Sequence, residues 1–207
     1  AGIINSGQLV QAKGHEYELL SLLAGDQSLT GEFMDGAYAT VYLSPRDYHR
    51  VHMPVAGRLR EMHFVPGKLF SVSEATTQLV PELFARNERV ICIFDTIAGP
   101  MAVILVGAIF VGSMETVWEG EVRGSGNTPS IWRYRDDQAI SIGKGEELGR
   151  FNMGSTVIML FPKGQVNWGG KLQPGATLRM GEAVGTLTPD PGENPIPDPV
   201  NEPPASA

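Results

Sequence analysis

The chain alternates apolar runs with short polar turns, and the runs carry strand periodicity more often than helical periodicity. Ala37 to Leu43 (AYATVYL) is a β-favouring run closed by Ser44-Pro45. Arg58 to Val65 alternates charged and apolar residues (Leu59, Met62, Phe64), and Pro66-Gly67 turns it toward a further strand at Leu69 to Val72. Arg89 to Phe94 and Met101 to Val111 flank the turn Ala98-Gly99-Pro100. Their near-continuous hydrophobicity predicts strands buried on both faces, and Thr156 to Phe161 (TVIMLF) reads the same way. Helical periodicity is confined to two stretches. His15 to Gly25 places Tyr17, Leu19, Leu20, Leu22 and Leu23 on one broad face before a glycine stop. Ser73 caps a second helix through Ala85, which Pro81 must kink or restart. The pattern predicts an α+β fold, mostly β: compact barrel- or sandwich-like antiparallel sheets with about two short helices. Residues 1–188 form the core, and 189–207 read as a disordered acidic tail, with six of the fifteen prolines lying beyond Thr188 and Pro189.

A faint internal echo links Pro54-x-x-Gly57 and Pro66-Gly67-x-Leu69 to Leu172-x-Pro174-Gly175 and Met180-Gly181. Such punctuation resembles the halves of barrel-sandwich carrier modules, but Pro-Gly is a common turn dipeptide. Lys171 does not sit in a Met-Lys-Met hairpin tip, so a carrier function is disfavoured. With 207 residues, 42% of them hydrophobic and 19% charged, most of the chain can bury a core. A net charge of −7 argues against a general nucleic-acid binder. Cys92 is the sole cysteine, which excludes an internal disulfide framework; between Ile91 and Ile93 it reads as a buried small hydrophobe. The longest apolar run, Pro100 to Met114, spans about fifteen residues and contains Gly107 and Gly112, short of the roughly 20 that cross a bilayer. The N-terminus has no initiator Met and no signal-type segment, and reads like a chain entered in mid-domain.

Chemistry-bearing residues gather in two places. Ser44 to Pro54 (SPRDYHRVHMP) holds His49 and His52. Extended to His63, it sets Arg46, Arg50, Arg58 and Arg60 against Asp47 and Glu61, a local balance of +2. Arginine forks suit phosphate or carboxylate, and histidine exchanges protons near neutral pH. The bland alternative is a solvated charged turn. A metal site on His49, His52, Glu61 and His63 is disfavoured, because His-x-x-His on a strand sends the side chains to opposite faces. The second place is Phe151-Asn152-Met153-Gly154-Ser155-Thr156, at the entry of a buried strand. It is not a nucleophile elbow, since Gly-x-Ser-x-Gly is absent. His15 and His63 read as structural or surface histidines, and Trp168-Gly169-Gly170 as a surface loop.

Taken together, these segments resemble the phosphatidylserine decarboxylase family, in its bacterial, pyruvoyl-dependent form. The resemblance is carried by QAKGHEYELLSLLAG (11–25), YLSPRDYHRVHMP (42–54), VPGKLFSV (65–72), LFARNERVICIFDT (83–96), ILVGAIFVGSMETVW (104–118) and GRFNMGSTVIMLF (149–161). Met153 stands where leucine is the commoner residue, a nearly volume-conserving exchange. The resemblance implies self-cleavage between Gly154 and Ser155, with Ser155 becoming a covalent pyruvoyl cofactor. That group would decarboxylate phosphatidylserine to phosphatidylethanolamine through a Schiff base, with no metal. By position, His52 matches the base of an Asp-His-Ser maturation triad and His49 the histidine of the decarboxylation step. The family also implies a homodimer whose two pieces stay associated, peripheral on an anionic membrane surface, on the cytoplasmic face of a bacterial inner membrane.

One departure matters. The family's triad aspartate lies in a Pro-Ala-Asp-Gly type segment that would fall just before Ala1, as would its amphipathic membrane-lying region. Without that partner His52 is expected to cleave slowly or not at all. Asp47 is the nearby substitute, with a turn residue as its plain reading. The alternative reading is therefore a catalytically inactive fragment or pseudo-enzyme of the same fold that binds anionic phospholipid.

Overall fold

Five of the six strands that the pattern predicts become neighbours in one antiparallel sheet. The computed structural model describes residues 1–12, 14–109, 113–152 and 155–188. The proline-rich stretch 189–207, the end of the run expected to reach Val111, and Gly154 lie outside the described residues. In chain order the elements begin with β1 (Gly2–Ile3), β2 (Gln8–Ala12), β3 (His15–Glu18), α1 (Leu19–Leu22), α2 (Gln27–Phe33), β4 (Ala37–Leu43), β5 (Arg50–His52) and β6 (Gly57–Val65). Next come α3 (Glu74–Thr77), α4 (Leu83–Arg86), β7 (Arg89–Thr96) and β8 (Gly99–Val106). Then follow β9 (Met114–Thr116), β10 (Gly120–Glu121), β11 (Ser130–Arg133) and β12 (Ser141–Ile142), with a 3-10 turn at Asp136–Gln138. The last strands are β13 (Glu147–Phe151), β14 (Ser155–Phe161), β15 (Val166–Trp168) and β16 (Gly185–Leu187).

The main sheet runs β1-β4-β14-β8-β7-β6-β11, with β12 also on β6. It does not close into a barrel. A second sheet has the order β10-β9-β13-β5, and β2-β3 and β15-β16 are two-stranded ribbons. As their composition predicts, β7 and β8 are buried almost throughout and lie in the middle of the main sheet. Cys92 on β7 is fully buried, and burial pushes its thiol pKa up. A bulge between Leu59 and Glu61 shifts the phase of β6, which is how Leu59, Met62 and Phe64 are all buried despite their mixed parity. The two copies of the Pro-Gly echo share no sheet, since one surrounds β6 and the other lies in the loop from β15 to β16.

The structure departs from the sequence pattern in three places, each for a local reason. His15 to Glu18 is strand, not helix, because its period-two pattern buries Tyr17 while pairing with Gln8–Ala12. Only Leu19–Leu22 is helical, and the Gly25 amide, at φ +84°, closes it on the Leu20 carbonyl. Leu69 to Val72 joins no ladder. The Asn87 side chain takes both backbone groups of Phe70, accepting from its amide at 3.0 Å and donating to its carbonyl at 2.9 Å. Finally, the described residues form four short α-helices. Pro81 splits the stretch that Ser73 caps, where Ser73 Oγ accepts from the Thr76 amide, into α3 and α4.

Candidate active site

Of the chain's passages between the two large sheets, two carry the residues that the sequence singles out. One is residues 44–49, between β4 and β5; the other is residues 152–154, between β13 and β14. On the main-sheet side Leu43 stands opposite Ser155, and on the other side the Phe151 amide donates to the His49 carbonyl at 3.0 Å. The strands that flank the histidine segment, β4 and β5, therefore pair with the strands that flank the Gly-Ser segment, β14 and β13. Asp47 shapes the first crossing. Its carboxylate accepts from the Ser44 amide at 2.7 Å, while its own amide donates to the Ser44 carbonyl. This is the work of a turn residue. Asn152 anchors the second crossing. Its side-chain amide donates to Ser113 Oγ and, at 3.2 Å, to Glu115, whose carboxyl Arg150 and Asn152 hold below the usual range.

Ser155 opens β14 fully buried, and its Oγ has no hydrogen-bond partner. Hydroxyls seldom lie buried and unsatisfied. On the first crossing, His49 presents a buried Nδ1 that is likewise unpartnered, while its Nε2 lies 3.4 Å from the Pro45 carbonyl. His52 is placed differently. On β5, Val51 points into the core while Arg50 and His52 face away from it. The His52 Nδ1 is 2.7 Å from the Gly145 carbonyl, and its Nε2 is 2.8 Å from the Tyr48 hydroxyl. No hydrogen bond joins either histidine to Ser155 Oγ. The structure thus ties the backbone of His49 to Phe151, four residues before Ser155, while the His52 side chain is engaged by Gly145 and Tyr48.

The arginines of the segment are mostly neutralised. Arg50 holds both carboxylate oxygens of Glu147 at 2.7 Å, and Arg60 holds both of Glu32 at 2.9 and 2.8 Å. Arg58 faces Asp95 at 3.9 Å. Arg46 remains exposed in the turn. Sequence reasoning did not single out Tyr48 or Gly145, because neither a surface tyrosine nor a turn glycine carries a pattern; only pairing β5 with β13 sets Gly145 beside His52. Trp168 proves to lie on β15, edge-on to Phe161 with ring centroids 5.9 Å apart.

Among the described residues no group of three or more His, Cys, Asp and Glu side chains converges to hold a metal. His63 is buried on β6, with Nε2 3.3 Å from Glu61. Glu61 also faces Arg133 and Arg60 at 3.4 and 3.8 Å; its carboxyl is held below the ordinary range by His63 first, then by the arginines. A lowered folded-state pKa gives stability that is complete above the ordinary carboxylate value and withdrawn as pH falls through the lowered one. Chemical denaturation between about pH 6 and pH 3 should therefore show Glu61→Gln losing about 1 kcal/mol less stability than the parent, a value discounted for solvent screening. Parallel curves would remove this role.

Fold and site define a class first: an antiparallel β protein with a buried, unpartnered serine opening a central strand, beside the strand that leads into a histidine-bearing turn. The family model for phosphatidylserine decarboxylase matches residues 1–186. The phosphatidylserine decarboxylase proenzyme of Marinobacter nauticus is 52% identical over 186 residues, covering 90% of this chain and 65% of that protein. The proenzyme of Alcanivorax borkumensis is 55% identical over 187 residues, covering 90% and 64%. That of Pseudomonas entomophila is 56% identical over 185 residues, covering 88% and 64%. The chain belongs to the phosphatidylserine decarboxylase family. It spans 64–65% of the length of these curated relatives.

Proposed function

We propose that this chain is the catalytic part of a phosphatidylserine decarboxylase proenzyme, which cuts itself between Gly154 and Ser155 and releases carbon dioxide from phosphatidylserine to leave phosphatidylethanolamine. The observation that carries the proposal is the unpartnered, fully buried Ser155 Oγ at the sheet junction, in a chain of this family. A hydroxyl kept free of hydrogen bonds is available as a nucleophile, and burial keeps water from competing for the bond it attacks.

In the self-cleavage, Ser155 Oγ gives its proton to His52 and bonds to the Gly154 carbonyl carbon. The Gly154–Ser155 C–N bond breaks, and the freed nitrogen takes a proton. Loss of the Ser155 α-proton then breaks its Cβ–O bond, so Gly154 leaves as a carboxylate and residue 155 becomes dehydroalanine. Water replaces its nitrogen, which departs as ammonia, and a pyruvoyl group remains. The residue that would carry the group fits it, since Ser155 is fully buried at the start of β14 with its Oγ unpartnered. Its conjugated carbonyl supplies an electron sink for carboxylate loss from an amino acid. His49 returns the proton to the substrate carbon after carbon dioxide leaves, and Arg46 meets the lipid phosphate.

Strand β14 belongs to the smaller piece yet is paired on both sides by strands of the larger, which supports the two pieces remaining one folded unit. We place the protein peripherally on an anionic membrane surface, on the cytoplasmic face of a bacterial inner membrane and as a homodimer. No described helix is long and apolar enough to cross a membrane. Intact mass under denaturing conditions tests the proposal, on this chain and on the full-length gene product. Two pieces are expected, the smaller beginning at residue 155 and blocked at its N-terminus, with carbon dioxide released from phosphatidylserine vesicles. If neither protein splits, the catalytic reading fails and the lipid-binding pseudo-enzyme takes its place.

A further inference from the structure

His52 is held as a base whose basic nitrogen is already occupied. A carbonyl oxygen only accepts, so the contact to Gly145 puts the hydrogen on Nδ1 and leaves the lone pair of the neutral ring on Nε2. That lone pair accepts from the Tyr48 hydroxyl at 2.8 Å, and the two rings stack with centroids 5.7 Å apart and planes 23° from parallel. The Gly145 carbonyl is itself firmly placed. The Gly145 amide donates to the Met53 carbonyl, the Met53 amide donates to the Glu146 carbonyl, and Glu146 caps the Gly143 amide at 2.7 Å. Glu147, opposite His52 in the ladder, is taken up by Arg50. Orientation of the ring is thus set by fixed backbone, whereas access to its lone pair is set by one side chain. Tyr48 is about half exposed, which leaves it free to swing away.

We infer that Tyr48 is a positioning residue that keeps His52 Nε2 in a resting hydrogen bond, which Ser155 must displace before self-cleavage begins. The inference rests on His52 acting as the base for Ser155. A proenzyme gains from such a resting contact, because its base stays masked until the chain around the junction has folded. Displacing a neutral hydrogen bond costs about 0.5–1.5 kcal/mol, so its loss should accelerate cleavage about three- to tenfold.

Two measurements on the full-length gene product separate this inference from the proposed function. Nitrogen-15 NMR of the histidine rings is recorded in a Ser155→Ala background, with Tyr48 and with Tyr48→Phe. The His52 Nε2 resonance should move toward that of a free acceptor while Nδ1 stays protonated. An unmoved Nε2 overturns the inference. Cleavage after cell-free synthesis is then followed with Ser155 intact, and Tyr48→Phe should split about three- to tenfold faster than the parent. An unchanged rate overturns the resting role; a slower one does too, and makes the phenol a participant in the proton transfer. If neither protein splits, the proposed function has failed and the NMR alone decides the resting contact, a moved Nε2 upholding it and an unmoved one overturning it. Tyr48→Leu repeats both measurements should the phenylalanine variant fold poorly.

Discussion

Ser155→Ala should leave the chain in one piece and make it no less stable. Most substitutions of a fully buried polar residue destabilise, because they orphan whatever the side chain was bonded to. Here there is nothing to orphan, since Ser155 Oγ is buried without a hydrogen-bond partner. An unsatisfied buried hydroxyl carries a desolvation cost of about 1–3 kcal/mol, which alanine removes. Against that stands the weaker strand preference of alanine, worth under about 1 kcal/mol. The melting temperature should therefore hold or rise by a few degrees, while splitting between Gly154 and residue 155 falls to nothing. Thermal denaturation beside intact mass reads both effects on one sample. A stable, uncut variant marks a serine kept for chemistry at the expense of stability. If the variant still splits, Ser155 is not the nucleophile. If it melts several degrees lower, its hydroxyl is structural after all.

The sequence displayed this serine's surroundings unevenly. The strands that build the main sheet were legible because burial on both faces writes itself as continuous apolar runs; β4, β7 and β14 fall within two residues of the runs that predicted them. Short strands of the second sheet were not. Arg50–His52 and Met114–Thr116 bury alternate residues over only three positions, and Glu147–Phe151 buries Leu148, Gly149 and Phe151 with no clean alternation, too little to show a period. Yet pairing within this sheet holds His52 beside Gly145 and ties the His49 carbonyl to the Phe151 amide. Family resemblance singled out Ser155, His49 and His52, but the contacts that hold the histidines run to Gly145, Pro45 and Tyr48. Backbone carbonyls leave no mark on a sequence. The same blindness covers Phe70, captured by Asn87 from another element, where a local pattern promised a strand.

Arg89→Met should cost about 3–5 kcal/mol, one of the largest losses available from a single side chain in this fold. From the sequence Arg89 is the charged start of an apolar strand. In the structure it is 2% exposed, and among the described residues no carboxylate pairs with it. Its Nε donates to the Leu22 carbonyl at 2.7 Å and its Nη2 to Ser21 at 2.8 Å, and Nη1 donates to Ala85 at 2.6 Å and Asn87 at 2.9 Å. These carbonyls lie at the C-terminal ends of α1 and α4, where helices leave acceptors unsatisfied and negative partial charge accumulates. One guanidinium thus caps two helices and ties both to the edge of β7. Burial lowers its pKa to about 10, so it stays charged at neutral pH. Methionine fills much of the volume but takes a donor from each of four carbonyls; that of Ser21 keeps the Ala24 amide at 3.2 Å. Lysine keeps the charge on a single nitrogen with three donors, and cannot span acceptors that the planar fork reaches from three nitrogens. Arg89→Lys should therefore recover only part of the loss. Urea denaturation of parent, Arg89→Lys and Arg89→Met should give that descending order, with the methionine variant melting about 10 °C lower or failing to fold. If Arg89→Met were as stable as the parent, the carbonyls would be finding water instead, and the two helices would owe their positions to apolar packing alone.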